Sequence, residues 1–396
     1  VMYIPNVSEF PKFNLLKLLT TCFGKPTEQF RVCILIDLPD LQLMENFQFL
    51  EKNEFSVQAH GVNHFFTPLK EEVGDQFNVS NVDLFAFKTT YGSNLDPEDD
   101  AVDASGNRLS LNQDIYPNYD IILATTDYSL TAPLTAKAKE YGFRGATLHG
   151  LNEIILNSGL SVNYNEISEQ AEVFRKVLTA SDSFEITFEV LNNKYKLELI
   201  CEKQEAQKSH GLCPEGKPDV ANLPAGEVYF VPKGAEGSFP FRFSDGTLAE
   251  MKVEGGKIIS ALLLDGDSSL VEARNKQLKD DPATGIIGEL GFGTQLLPFS
   301  GKDIQDEKIF GTCHVATGRS DHLGGNLTPD LFNSKMNASH DDILYAPPKT
   351  PEINVTCVQM YKDGESFEIF SNYEPTPWLL DQVSSVYPVE KFSALV

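Results

Sequence analysis

Asp120-Ile121-Ile122-Leu123-Ala124-Thr125-Thr126, read with the thirty residues that follow it, decides the fold. The run is short, apolar and rich in β-branched residues, as a buried strand requires, and a Ser/Thr-rich turn follows. A helical run over 134–141 comes next, and Gly142 stands where a helix C-cap is expected. Gly145-Ala146-Thr147-Leu148 is a second short apolar run. Strand, helix, strand is the βαβ pattern of a parallel sheet. Toward the N-terminus, Arg31-Val32-Cys33-Ile34-Leu35-Ile36-Asp37 and residues 83–88 read as further buried strands. Ligands often bind beyond the carboxyl ends of such strands, which marks Thr125, Thr126, Asp127, Ser129 and His149. Capping and turn hydrogen bonds are their more ordinary use.

Toward the C-terminus the pattern changes. Residues 166–179 predict an amphipathic helix through Ile167, Ala171, Phe174, Val177 and Leu178. A period near two then governs 184–200, broken at Asn192-Asn193, and 247–264, broken at Glu254-Gly255-Gly256-Lys257; both read as hairpins. The polar stretch 202–221, with His210 and Cys213, reads as a loop. The expected architecture is an α/β N-terminal domain with a mainly parallel sheet over 1–180. A strand-rich α+β metal-binding domain is expected over 181–396.

Composition narrows the function. The chain has 396 residues, 41% of them hydrophobic, with net charge −25 and pI about 4.6. Nucleic acid and anionic membranes would be repelled, since both are bound through clustered Lys and Arg. The charge serves solubility and, more narrowly, concentrates cations. None of the six cysteines forms a CxxC pair, and Cys33 lies in an apolar run, so reduced structural thiols in a cytoplasmic protein are expected. Cys313 directly precedes His314, but in a strand the two side chains point to opposite faces. No signal-peptide pattern or apolar run of membrane-spanning length is present, and Val1 before Met2 is compatible with an expression remnant.

The chemistry concentrates in the second half. His340 and Asp342, in Ser339-His340-Asp341-Asp342, would share one face of an extended segment. His314 stands in a similar run, Cys313-His314-Val315-Ala316-Thr317-Gly318. Glu227 follows Leu223-Pro224-Ala225-Gly226, and Glu289 sits in Gly288-Glu289-Leu290-Gly291-Phe292-Gly293-Thr294. Both carboxylates are in unusually apolar, Gly-rich surroundings. Mixed imidazole and carboxylate ligation favours a transition metal. The set suffices for two ions sharing a carboxylate, or for two His and one carboxylate around a single Fe(II). Taken singly, a His on a strand is more often a core residue, and Asp341 or Asp342 could cap the next segment. His60, His64, His210 and His322 show no comparable pattern and are read as structural.

At these residues the chain resembles the aminopeptidase T family of metallopeptidases. The likeness lies in Asn222 to Tyr229, Gly288-Glu289-Leu290-Gly291, His314 to Gly318 and His340-Asp341-Asp342. It extends to Tyr128-Ser129-Leu130-Thr131, Ala136 and Gly142-Phe143-Arg144, covering roughly residues 115–345. The resemblance implies that Glu227, Glu289, His314, His340 and Asp342 hold two divalent ions (Zn, Co or Mn). It implies a cytoplasmic homodimer that releases N-terminal residues from short peptides. Metal-bound hydroxide would be the nucleophile, and Glu289 is the expected catalytic proton carrier. One departure is Asp321, where peptidase members carry a Tyr. A related branch of the same fold comprises iron-dependent, ring-cleaving dihydroxypyridine dioxygenases, and the Gly-Glu-Leu-Gly-Phe-Gly-Thr run resembles those. The expectations are therefore a hydrolase acting on peptides, an Fe(II) ring-cleaving dioxygenase acting on a small molecule, and a non-catalytic metal or ligand-binding protein.

Overall fold

The structure is a computed structural model that describes residues 2–393. Val1, the residue read as compatible with an expression remnant, and the last three residues lie outside the described range. The chain forms two compact units. One comprises Asn6–Ser168 and His210–Ala225. The other comprises Glu169–Ser209, the chain from Gly226 onward and the residues before Asn6. The division expected near 180 falls at Glu169, inside the helix Tyr164–Leu178, and a later segment rejoins the first unit. That return has a plain cause. Within the stretch read as a loop, Val220–Asn222 adds to the edge of the parallel sheet, against Arg144–Thr147.

The first unit is built on seven strands. From edge to edge they are Val220–Asn222, Arg144–Thr147, Ile121–Thr125, Phe30–Leu38, Val79–Lys88, Ala101–Val102 and Arg108–Leu109. The first five pair in parallel, and the last two add antiparallel. Ile121–Thr125 is buried throughout, which explains why it carries no polar alternation. The crossover helix Thr131–Tyr141 begins before its apolar periodicity does, because Pro133 fits its first turn, where no backbone donor is needed. Gly142 ends it at φ 86°, its N–H donating to Ala138 O.

The second unit holds an eight-stranded sheet and a five-stranded sheet, both antiparallel where their strands pair. The expected hairpins are present as Ser183–Val190 with Asn193–Ile200, and Leu248–Glu254 with Lys257–Asp265. In the first, the turn is Leu191-Asn192, one residue earlier than the composition suggests. Both residues have positive φ (51° and 62°), as the strand twist demands of a two-residue turn. The two sheets share one core, in which Phe184, Phe188, Phe292, Phe310, Phe370 and Tyr345 are all buried. Phe174, from the amphipathic helix, meets Phe310 and Phe292 edge-on. Among the described residues, no helix is long and apolar enough to cross a membrane.

Candidate metal centre

The five-stranded sheet is ordered His340–Tyr345, Cys313–Gly318, Ile287–Gly293, Glu227–Phe230, Gln207–Ser209. Its strands alternate apart from a bulge between Ile287 and Glu289. Leu290, Phe292, Cys313, Val315, Val228, Phe230 and Tyr345 enter the core. The intervening residues, Glu227, Glu289, His314, His340 and Asp342, share the other face. Cys313 therefore points away from the site, as its spacing predicts.

The register places a small residue opposite every candidate ligand. Glu227 faces Gly293, and His314 faces Gly291. Ala316 lies between Glu289 and Asp342, and Gly318 faces His340. At Gly291 the need is steric: a Cβ there would lie 2.1 Å from Cε1 of the His314 ring. Gly318 combines a φ of +90° with a backbone approach that leaves no room for a Cβ beside Ser339 O.

Two donor groups result. Glu227, Glu289 and His314 form one, and Glu289, His340 and Asp342 form the other; in each, one donor atom per residue lies within 4.8 Å of the others. Glu289 belongs to both. His340 Nε2 is 2.9 Å from Glu289 Oε2 and 3.2 Å from Asp342 Oδ1. Adjacent ligands of an octahedral ion with bonds near 2.1 Å are about 3 Å apart, so this group has the dimensions of a metal face. His340 Nδ1 lies 2.6 Å from the Arg319 carbonyl oxygen. A carbonyl only accepts, so Nδ1 carries a proton and Nε2 is the atom turned to the carboxylates, where a metal ion would take the place of its proton. That is the tautomer a metal ligand needs.

The other group is looser. His314 Nε2 stands 3.6 Å from Glu289 Oε1 and 3.8 Å from Glu227 Oε2, and its buried Nδ1 has no hydrogen-bond partner. A cation already serves it: Lys308 Nζ is 2.9 Å from Glu227 Oε2 and 2.6 Å from Glu307 Oε1, with its side chain 1% exposed. Burial alone would lower the lysine pKa, but Glu227 and Glu307 hold it well above its ordinary value. The same contest acts on His340, where burial is outweighed by Asp342 and then Glu289, and its pKa is raised. Among the described residues, no donor group contains both His314 and His340. The two-His, one-carboxylate arrangement is thus replaced by one imidazole and two carboxylates.

Sequence reasoning missed Lys308, Glu307, Arg319 and His322. Lys308 arrives because Ile309 and Phe310 bridge to Gln295 and Gly293, against a glycine backbone bare enough to admit them. In sequence, Asp306-Glu307-Lys308 reads as a solvated charge run. Arg319 Nε donates to Asp321 Oδ1 at 2.7 Å, so Asp321 pairs with a guanidinium and joins neither donor group. His322 is buried edge-on to His340, ring centroids 4.9 Å apart, and burial lowers its pKa.

No family model matches the sequence, and neither does any curated protein. Among solved structures, the chain is similar to 2,5-dihydroxypyridine dioxygenase from Pseudomonas putida KT2440. The two share 13% identity with a TM-score of 0.57, over 92% of this chain and 95% of that one. At that identity the likeness establishes the fold. It also corrects the expectation of an aminopeptidase T-like metallopeptidase. The motifs carrying that resemblance are short strands around a metal-type site, a local pattern that says nothing of the bond being broken. The hydrolase, aminopeptidase and protease readings are withdrawn.

Proposed function

We propose that the chain is a metal-dependent dioxygenase that opens a dihydroxylated aromatic or heteroaromatic ring. The observation that carries the reading is the Glu289–His340–Asp342 face, held on a scaffold shared with a ring-cleaving enzyme. One imidazole and two carboxylates occupy one side of an ion and leave its remaining positions for other ligands. When bound, Fe(II) supplies the redox chemistry that lets O2 react with an electron-rich ring. Both oxygen atoms enter the product as one ring bond breaks, so the balance needs no external reductant.

The chain's own residues have separable tasks. Glu289 and Asp342 provide charge. The Arg319 carbonyl fixes the His340 tautomer, and so the direction of its lone pair. His322, a buried imidazole with a lowered pKa, is the proposed acceptor for the proton of a ring hydroxyl. Lys308 pairs with Glu227 and Glu307 beside the site without occupying the face that His340 defines. A single ion at that face is the stoichiometry this arrangement favours.

The test is anaerobic purification, elemental analysis and reconstitution with Fe(II). Oxygen uptake is then followed with 2,5-dihydroxypyridine, hydroquinone and catechol as probes. The expected result is iron-dependent consumption of one O2 per ring, with loss of the ring absorbance. An iron-loaded chain that consumes no O2 with any of these rings would overturn the proposal and favour a non-catalytic metal-binding protein.

A further inference from the structure

The first unit carries a second constellation. His60 lies in the last turn of the helix Ser56–Gly61, and His64 lies in the π-helical turn Val62–Phe66 that continues it. Glu153 opens the short helix Glu153–Leu156. The two imidazole centroids are 5.5 Å apart, and His60 Nδ1 is 3.7 Å from Glu153 Oε1. One donor atom from each of the three lies within 4.8 Å of the others. Both imidazoles are half-buried, and Glu153 is exposed.

The location is one where such sheets commonly place ligands. From Phe30–Leu38 the chain passes to Val79–Lys88 on one side and then to Ile121–Thr125 on the other. The strand order therefore reverses between Phe30–Leu38 and Ile121–Thr125, and such sheets bind ligands beyond the carboxyl ends of the strands at that reversal. The His60 helix is anchored there. Gln58 Nε2 donates to Asp37 O and Oδ1, at the end of the first strand, and to Asp127 Oδ2, beyond the end of the second. Gly61 approaches Thr125 so closely that a Cβ would collide with its hydroxyl. A widened π turn is a feature that recurs at functional sites. Here it carries His64 beside His60.

We propose that His60, His64 and Glu153 form a second metal site, selective for a borderline transition ion such as Zn2+ over Ca2+ or Mg2+. Two imidazoles and one carboxylate match the ligand preference of Zn2+, whereas hard cations prefer an all-oxygen shell. Three protein ligands leave a position open to water or to an anionic group.

The site shares no residue with the Glu289–His340–Asp342 face, so it can be tested with that face disabled. The full chain carrying His340→Ala and Asp342→Ala is titrated with Co2+ and followed by visible d–d absorption. One equivalent bound at micromolar Co2+ is expected, with excess Mg2+ failing to compete. Adding His64→Ala should weaken binding at least about tenfold, and adding Glu153→Gln should weaken it less, as loss of one of three ligands predicts. If the background variant does not fold, the wild-type chain gives the same reading, because His64→Ala then removes one equivalent from the total. Absence of Co2+ binding in the folded background variant, or binding that His64→Ala leaves unchanged, would overturn the site. Neither result bears on the ring-cleavage proposal.

Discussion

Lys308 decides how many ions the centre can take. Its ammonium sits where a cation would otherwise satisfy Glu227, so Lys308→Met opens that position. The metal-free variant is expected to lose about 3–5 kcal/mol of stability, because one removed partner leaves buried carboxylates uncompensated. Divalent metal should restore the loss, and the variant should bind one equivalent more than wild type. That added equivalent should vanish with a further His314→Ala; equilibrium dialysis and thermal melts with and without metal check all three. Gly291→Ala makes a narrower claim. The new methyl group would meet the His314 ring at 2.1 Å, and displacement of His314 should cost about 1–3 kcal/mol while leaving metal at the His340 face. The shared face of His340 and Asp342 was legible in the sequence because alternation along a strand puts both members of a His-x-Asp pair on one side. Lys308 was not, because a buried cation and a solvated one have the same letter. His60 and His64 were legible in principle: two histidines four apart on a helix are neighbours, a spacing as informative as His340 and Asp342.

Elements were legible where one physical signal dominates. The parallel strands announce themselves by unbroken apolar runs, and the hairpins by alternation closed with turn residues. The stretch between residues 41 and 77 was not legible. It folds as short 3-10, α and π turns whose lengths match no single period. The strand Phe30–Leu38 also carries a testable liability at its end. Asp37 is buried, and burial raises its pKa from 3.8 to about 6, with hydrogen bonds from Asp127 N–H and Gln58 offsetting only part of the penalty. The folded chain therefore holds this proton more tightly than the unfolded chain. The resulting stabilisation is complete below pH 3.8 and is lost as pH rises through about 6. Its size is on the order of 3 kcal/mol. In Asp37→Asn that loss should disappear, so the difference between variant and wild-type unfolding free energies should grow in the variant's favour between about pH 4 and pH 6. Chemical denaturation at stepped pH measures it, and a constant difference would refute the assignment.

Across the whole molecule the dominant quantity is charge. At −25, self-repulsion opposes compactness, and screening relieves it as the Debye length falls from about 30 Å at 0.01 M salt to about 8 Å at 0.15 M. The melting temperature should rise over that interval in NaCl, and a flat or falling curve would show that local ion pairs dominate instead. Metal acts on the same balance. A chain at a metal concentration about a hundredfold above its Kd gains about 2.7 kcal/mol, so chelation should lower the melting temperature of a chain this long by about 3 °C. Scanning calorimetry before and after chelator measures that shift. One consequence of the small residues paired with the ligands is temporal. Glu227, Glu289, His314 and His340 come from four strands far apart in the chain, and each ligand meets a small residue only when the pairing is in register. A slip of one residue would turn His340 and Asp342 into the core. The centre therefore cannot assemble piecemeal, and long-range strand pairing is slow. During refolding of the His64→Ala variant in the presence of Co2+ the colour should develop with the last kinetic phase, making the metal a clock that starts only when the sheet has closed.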